Sequence, residues 1–148
     1  MTSANLDLTG FDYRYLVPHS DIDDSGVMHF SRYPALVETA LLQGLRTAGW
    51  GLAELRAHGC QLVVAQLQVS YRSPARLLDE LVVRAWPEHI GGVQLRVGGL
   101  ISAAGERLVE LSMVLGVLDP RTERPTRLPA ALRGMLTGLL PTPDLEGV

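Results

Sequence analysis

Apolar and polar residues alternate through much of this 148-residue chain, and one long helical pattern interrupts the alternation. A period of two is typical of a β-strand. The first such segment spans residues 11–17, where one side carries Phe11, Tyr13, Tyr15 and Val17. Pro18 has no N–H to donate and is expected to end this strand, and an irregular polar stretch follows over residues 19–30.

The long helical pattern covers about Ser31–Ala48. Its apolar residues recur at spacings of three and four, as they do on the buried face of an amphipathic helix. Ser31 is a candidate N-cap, Pro34 falls in the first turn, where a missing N–H costs little, and Gly49 is placed to end the helix. A second, shorter helix is predicted over Leu52–Ala57.

The period of two returns in the second half of the chain and predicts four more strands, over residues 63–71, 81–86, 93–99 and 109–117. In the first of these, one face is expected to carry Val63, Ala65, Leu67, Val69 and Tyr71. Pro87 is expected to end the second strand. The pairs Gly91-Gly92 and Ala104-Gly105 are expected to form turns.

This order of elements predicts the fold class. One strand, one long helix and four strands joined by short turns indicate an α+β fold, in which the helix lies across one face of an antiparallel sheet. Since one helix covers only part of such a sheet, we expect a homo-oligomer. The length fits a single domain over residues 1–148, with a core at about 11–118 and a C-terminal tail at about 121–148 that holds a short helix around residues 130–140.

Composition excludes several classes of function. Hydrophobic residues make up 47% of the chain and charged residues 20%, which is typical of a globular protein. The net charge of −3 provides no basic field for nucleic acid or for an anionic membrane. The N-terminus resembles no secretory signal, no stretch approaches the roughly 20 apolar residues of a membrane span, and we expect a cytoplasmic protein. The single cysteine, Cys60, is expected to be a buried structural thiol.

An acidic segment before the long helix is the candidate for chemistry. The run Asp21-Ile22-Asp23-Asp24-Ser25-Gly26 matches the first six positions of a calcium-binding loop. The twelfth position of such a loop should be a bidentate Glu, and here it is Arg32, a cation. We therefore expect no metal ion and no cofactor.

The same segment can instead serve a reaction at a helix start. Unpaired backbone N–H groups and a partial positive charge at such a start can stabilise an oxyanion. An Asp just upstream can attack a carbonyl carbon or activate a water molecule. Three carboxyl groups in four residues are also expected to raise the pKa of at least one of them by mutual repulsion. The alternative is that Asp23 and Asp24 only cap and solvate a turn.

Two motifs carry a resemblance to a known family. The run from Asp21 to Tyr33, followed by Glu38, resembles the signature of the 4-hydroxybenzoyl-CoA thioesterase family of hotdog proteins, and Val69-x-Tyr71-x-x-Pro74-Ala75-x-x-x-Asp79 resembles its second recurring stretch. The resemblance spans about residues 11–118. It implies a hotdog fold, in which an antiparallel sheet wraps around one long central helix. It also implies an acyl-thioester hydrolase whose site lies at the interface of a homodimer or homotetramer.

The resemblance also implies roles for single residues. Asp23 corresponds to the nucleophile or general base, the backbone N–H of Phe30 faces the thioester oxygen, and Gly26 permits a tight turn and lets the acyl chain approach the backbone. His29 is a candidate for proton transfer, with helix capping or exposure to solvent as alternatives. Glu38 is a candidate for holding the catalytic water, with a structural hydrogen bond to the loop as the alternative.

The substrate is expected to be an acyl thioester of coenzyme A or of an acyl carrier protein. The turn at residues 88–92 lacks the basic cluster that some relatives use for the phosphates of coenzyme A, which keeps the carrier protein open. The candidate phosphate ligands are Arg72, Arg76, Arg121, Arg124 and Arg127. Since Phe and Tyr are few, an aliphatic or polyketide acyl group is favoured.

Two other functions remain open at this level. One is the addition of water or an amine to an α,β-unsaturated thioester, with Asp23 and His29 as acid and base. The other is a non-catalytic, acyl-binding dimer that keeps the fold alone.

Overall fold

The computed structural model describes residues 11–141. Its elements are β1 (Phe11–Leu16), α1 (Arg32–Thr47), α2 (Leu52–Ala57), β2 (Gln61–Tyr71), β3 (Glu80–Ile90), β4 (Gln94–Ala103), β5 (Glu106–Leu118) and α3 (Ala130–Thr137). The five strands form one antiparallel sheet in the order β1-β3-β4-β5-β2. The predicted α+β class and the single long helix against an antiparallel sheet are confirmed, as are the bounds of α2. The predicted domain ends at residues 1–10 and 142–148 lie outside the described residues.

Two glycines let α1 lie close to the sheet. The buried stripe of α1 consists of Tyr33, Leu36, Val37, Ala40, Leu41 and Leu45. A methyl group added at Gly44 would lie 2.1 Å from Cγ of Phe11 on β1, and one added at Gly99 on β4 would lie 2.6 Å from Cγ1 of Val37. Side chains at these positions would separate helix and sheet, so the two glycines set the depth at which α1 packs.

The C-terminal tail belongs to the core, in contrast to the predicted limit near residue 118. Leu132 and Leu136 on α3 are fully buried, and Leu128 before it is nearly so. The guanidinium of Arg133 donates to the carbonyl oxygen of Gly91 at 2.6 Å and fastens α3 to the turn between β3 and β4. The spacing of four between the three leucines is the sequence signal for this packing, and the surrounding prolines obscure it.

Two β-bulges correct the predicted strands. The prediction that Pro87 ends its strand is wrong, because β3 continues to Ile90 through a register shift between Pro87 and His89. Pro87 lies beyond Ala85, the last residue of β3 that pairs with β1. At Pro87, β4 is the one strand among the described residues that pairs with β3, so the missing N–H falls at an edge of the sheet. In β2 the shift lies between Val64 and Gln66.

The bulge in β2 changes which side chains share a face. Residues directly opposite each other in an antiparallel pair point to the same side of the sheet. Val64 lies opposite the buried Leu115, and Val63 lies opposite Gly116, so Val64 and not Val63 points toward the helix side. The predicted face of Val63, Ala65, Leu67, Val69 and Tyr71 is therefore correct only for the last three.

The predicted turns are confirmed, although the strands beside them are longer. β4 and β5 run up to Ala104-Gly105, where both residues have positive φ angles of 50° and 82°, as a two-residue hairpin requires. Cys60 is buried as predicted, and burial raises the pKa of its thiol.

Candidate active site

The acidic loop, residues 21–31, connects β1 to α1 and folds back on itself. The N–H of Asp23 donates to the carbonyl oxygen of Val27 at 2.8 Å, and the N–H of Gly26 donates to that of Asp23 at 3.0 Å. Gly26 has a φ of 83°, which a residue with a side chain rarely adopts, so the prediction that it permits a tight turn is confirmed. The turn places Asp23 at one side of the loop and residues 29–31 at the start of the helix.

Asp23 is held as a carboxylate by Ser25. Both the hydroxyl and the backbone N–H of Ser25 donate to Oδ1 of Asp23 at 2.8 Å. The Ser25 hydroxyl, followed by its N–H, lowers the pKa of Asp23 below the ordinary value. Repulsion was expected to raise the pKa of at least one of the three acids; Asp23 is not that acid, because local hydrogen bonds outweigh the repulsion there.

Phe30 stands at the entry to α1 with its side chain 64% exposed. Its backbone N–H donates to no acceptor among the described residues, whereas its carbonyl oxygen accepts a hydrogen bond from the hydroxyl of Tyr71 at 3.1 Å. Phe30 is thus held through its carbonyl oxygen, while its N–H, which belongs to the preceding peptide group, has no acceptor within residues 11–141 and lies two residues before the helix begins. This is the kind of donor that can bind a developing oxyanion.

Asp23 and Phe30 face one cavity of about 270 Å³. It is formed by the acidic loop, the first turn of α1 and the end of β2, and its lining is Asp23, Val27, Met28, Phe30, Tyr33, Tyr71, Arg72, Ser73 and Pro74. The two motifs of the sequence therefore meet in space. Gly26 does not line the cavity, so the idea that it lets the acyl chain approach finds no support there.

Two tyrosines that the sequence analysis did not assign to the site hold its walls together. The ring of Tyr33 meets that of Tyr71 edge-on, with centroids 5.5 Å apart. The hydroxyl of Tyr33 accepts the N–H of Ala75 at 3.0 Å, and burial raises the pKa of Tyr33. Each tyrosine belongs to one of the two motifs, and this membership was the sequence signal that could have assigned them to the site. Their contact joins positions more than thirty residues apart, which a local pattern does not reveal.

His29 lies beside the cavity and caps the helix entry. Its Nδ1 accepts the N–H of Ser31 at 3.2 Å and lies 2.7 Å from the Ser31 hydroxyl, so in the neutral ring the proton resides on Nε2. The His29 ring stacks on the ring of Phe30, with centroids 4.6 Å apart. Ser31 is the N-cap residue of α1, as predicted, but its side chain makes no capping hydrogen bond; the side chain that accepts a backbone N–H at this entry is His29.

Glu38 is not brought to the cavity. It lies on α1, is half-buried, and makes no hydrogen bond or ion pair within residues 11–141. The alternative of a structural bond to the acidic loop is therefore absent from the described part of the chain.

Asp21, the first of the three acids of the motif, has a separate environment. The carboxylate of Asp21 is occupied by Tyr15 and Arg32 rather than turned toward Asp23. Among the described residues, no group of three or more His, Cys, Asp or Glu side chains is arranged to hold a metal ion.

None of the helices within residues 11–141 combines the length and apolar character needed to cross a membrane.

Comparisons with known proteins indicate the family and the fold. Residues 17–136 match the model of the thioesterase-like superfamily. Over 128 residues, 86% of this chain and 96% of the relative, the chain is 27% identical to the acyl-CoA thioester hydrolase YbgC of Escherichia coli O6:H1. The crystal structure of a thioesterase from Thermus thermophilus, complexed with coenzyme A and Zn, is similar with a TM-score of 0.78 at 26% identity, covering 93% of this chain and 99% of that one.

A more distant structure supports the fold alone. The 1,4-dihydroxy-2-naphthoyl-CoA thioesterase Slr0204 of Synechocystis has a TM-score of 0.78 at 18% identity, covering 93% of this chain and 98% of that one. The match of the family model covers most of the chain, and the fold and both motifs agree with it. The chain therefore belongs to the thioesterase-like superfamily, as a hotdog-fold member.

Proposed function

We propose that this protein hydrolyses acyl-CoA thioesters, with Asp23 as the catalytic carboxylate. The observation that carries the proposal is the shared cavity at the start of a helix: it is lined both by Asp23, whose lowered pKa keeps it ionised, and by Phe30, whose backbone N–H has no acceptor within residues 11–141. The family and the acyl-CoA hydrolase relative support the reaction class. Coenzyme A is favoured over a carrier protein because a similar thioesterase has been crystallised with it.

In the proposed reaction, the thioester carbonyl oxygen accepts the N–H of Phe30, and the partial charge of the α1 terminus stabilises the oxyanion. Asp23 attacks the carbonyl carbon through Oδ2, or positions a water that does so. The C–S bond breaks, the thiolate takes a proton, and water supplies the hydroxyl of the product acid. Both routes use the ionised form of Asp23, which its lowered pKa maintains at neutral pH.

We assign supporting roles to the two other candidates. The Nε2–H of the neutral His29 ring is placed to donate to the departing sulfur or to solvent near it, since Nδ1 is engaged by Ser31. Glu38 reaches the reaction through a water molecule or not at all, because no described contact ties it to the acidic loop. A substitution of Glu38 is therefore expected to affect turnover less than one of His29.

The chain is proposed to act as a homodimer or homotetramer. β2 ends the described sheet as an eleven-residue edge strand, and its apolar side chains Val63, Val64, Leu67 and Tyr71 are 41–50% exposed. Long apolar edges of this kind are normally covered by pairing. Because Tyr71 also lines the cavity, a second copy paired along β2 would stand beside the site. Light scattering on the purified protein measures the oligomeric state directly.

The acyl group is the least constrained part of the proposal. A cavity of about 270 Å³ is near the lower end for small-molecule sites and favours a short acyl group. The aliphatic or polyketide preference was inferred from how few Phe and Tyr the chain has, yet three of its six lie at this cavity. A substrate panel must therefore pair aliphatic and aromatic acyl groups of similar size. Arg72, at the cavity, is the candidate phosphate ligand, although it is ion-paired to Glu110 at 3.2 Å.

The test is free-thiol release from matched acyl-CoA thioesters, saturated and α,β-unsaturated, by wild type, Asp23→Asn and Asp24→Asn. Asp24 is the adjacent exposed acid of the same turn and does not line the cavity, which makes it the matched control. We expect release to be lost with Asp23→Asn and kept with Asp24→Asn. Consumption of the unsaturated thioester without thiol release would indicate addition to the double bond, and tight binding without turnover would indicate an acyl-binding protein.

A further inference from the structure

A cluster around the buried Asp21 joins both ends of the acidic loop. The carboxylate of Asp21 is 9% exposed; its Oδ2 accepts the hydroxyl of Tyr15 at 2.5 Å and its Oδ1 lies 3.2 Å from Nε of Arg32. Tyr15 belongs to β1, Asp21 begins the loop, and Arg32 is the first residue of α1. One carboxylate thus connects strand, loop and helix, and we call these three residues the Tyr15–Asp21–Arg32 clamp.

The clamp is not explained by local preferences. A cation in the first turn of a helix opposes the helix dipole, and a buried carboxylate is costly unless it is paired. Asp21 is the one buried charged residue within residues 11–141. The Nε–H of Arg32 is close to Oδ1 of Asp21 but is not aligned for a hydrogen bond. The contact is therefore an ion pair without a directional hydrogen bond.

The position of the clamp relates it to the reacting groups. Asp23 follows Asp21 by two residues, and Phe30 precedes Arg32 by two residues. The N–H of His29 donates to the carbonyl oxygen of Asp21 at 2.8 Å, which closes the loop between those two points. A change in the clamp would therefore alter the separation between the Asp23 carboxylate and the Phe30 N–H, although neither group touches Tyr15.

We propose that Tyr15, Asp21 and Arg32 are positioning residues that set the geometry between the Asp23 carboxylate and the Phe30 N–H. The proposal rests on the proposed function of Asp23 and Phe30. A displacement of about 1 Å in a reacting group can cost on the order of a hundredfold in rate, so small changes in the clamp are expected to appear in kcat.

The mildest probe is Tyr15→Phe, with Tyr13→Phe as the matched control. Tyr13 lies on the same strand and on the same face, its ring centroid is 6.2 Å from that of Tyr15, and its hydroxyl has no hydrogen-bond partner within residues 11–141. Tyr15→Phe should lower kcat per folded enzyme roughly tenfold or more while KM stays within about threefold. Tyr13→Phe should change neither. Equal kcat values for the two variants would overturn the proposal.

A second comparison uses the charge. Arg32→Gln removes the partner of Asp21, whereas Arg46→Gln removes an exposed arginine at the other end of the same helix. Both are assayed where denaturation curves show them folded, so that a loss of stability is separated from a loss of positioning. Combining Tyr15→Phe with Asp23→Asn should give no further loss beyond Asp23→Asn alone. Independent, additive losses would show that the clamp acts on something else.

An amide spectrum separates failure of the clamp from failure of the proposed function. In ¹⁵N-labelled protein, Tyr15→Phe should shift and broaden the amide signals of residues 23–30, and Tyr13→Phe should leave them in place. If the wild type hydrolyses none of the thioesters, the proposed function is rejected. The amide spectrum still tests whether the clamp holds the acidic loop in place. Unchanged loop signals in Tyr15→Phe would reject the clamp in that case as well.

Discussion

Two concave regions of this protein differ in size and in chemistry. The larger, about 720 Å³, is a groove on the outer face of the sheet with a mainly polar lining that includes Gln66, Gln68, Glu88, Arg96 and Ser112. The smaller, about 270 Å³, is the cavity at the start of α1, whose lining includes one carboxylate and three aromatic residues. Ligand sites are mostly apolar with a few placed polar groups, and the smaller cavity has that character. The comparison favours the smaller cavity as the candidate site, because an acid and the entry to a helix meet there, and volume alone would favour the groove.

The strongest way to break this comparison is to remove one carboxylate from each region. Asp23→Asn is expected to lower kcat by roughly 10²–10⁴, because it removes the nucleophile or base. Glu88→Gln in the outer groove should leave kcat and KM within about twofold of wild type. Steady-state thiol release from the same acyl-CoA measures both variants. A loss with Glu88→Gln that matches Asp23→Asn would move the site to the groove.

The next comparison concerns stability and uses two adjacent glycines of β4. A methyl group at Gly99 would lie 2.6 Å from Val37 of α1, in the packed layer between helix and sheet. One at Gly98 would lie 2.6 Å from Trp86 and Glu88 on the outer face, where side chains can move toward solvent.

Gly99→Ala is therefore expected to lower the free energy of unfolding by about 1–3 kcal/mol, since it overpacks the core. Gly98→Ala should cost about 1 kcal/mol or less, because replacing glycine in a strand recovers part of the loss. Urea unfolding followed by circular dichroism compares the two. A larger loss for Gly98→Ala would mean that the outer face, and not the helix face, is the rigid layer.

The two faces also show what the sequence could predict. The helix α1 and the order of strands follow from periodicity, because the buried stripe and the alternation are repeated many times. A β-bulge adds one residue without any change in composition, so the shifts at Val64 and Pro87 left no signal that the alternation could reveal. The short helix around residues 130–140 was predicted, but the burial of Leu132 and Leu136 was missed because the core was expected to end near residue 118.

The site was predicted in part for similar reasons. The loop motif led to Asp23, Gly26 and Phe30, and the turn at Gly26 is confirmed, whereas the roles of Asp23 and Phe30 remain predictions. Mutual repulsion was expected to raise the pKa of at least one of the three acids, and Asp23 is not that one, because counting carboxylates ignores the two donors that Ser25 supplies. The walls formed by Tyr33 and Tyr71 depend on a long-range pairing, which a local pattern cannot show.

A smaller effect on kcat/KM is expected from removing single hydroxyl groups, one in each region. The Tyr71 hydroxyl donates to the carbonyl oxygen of Phe30 at 3.1 Å, and the Ser112 hydroxyl donates to Glu88 at 3.0 Å on the outer face. A hydrogen bond of this kind contributes about 0.5–1.5 kcal/mol, so Tyr71→Phe should lower kcat/KM roughly two- to tenfold. Ser112→Ala should not change it. If both variants match wild type, Tyr71 does not help to place the Phe30 peptide.

The smallest expected effect is visible only at acid pH and tests the environment of Asp23 itself. The Ser25 hydroxyl is the main cause of the lowered pKa, so Ser25→Ala should move the pKa of Asp23 upward, toward its ordinary value, while the Ser25 N–H still donates. The proposed reaction requires the Asp23 carboxylate, so the acid limb of kcat/KM should shift to higher pH in Ser25→Ala. No change is expected near neutral pH, where Asp23 is ionised in both proteins. Ser20→Ala, which alters an exposed serine just outside the loop, is the control and should leave the limb in place. An acid limb that stays fixed or moves to lower pH in Ser25→Ala would show that Asp23 is not the group whose ionisation controls the reaction.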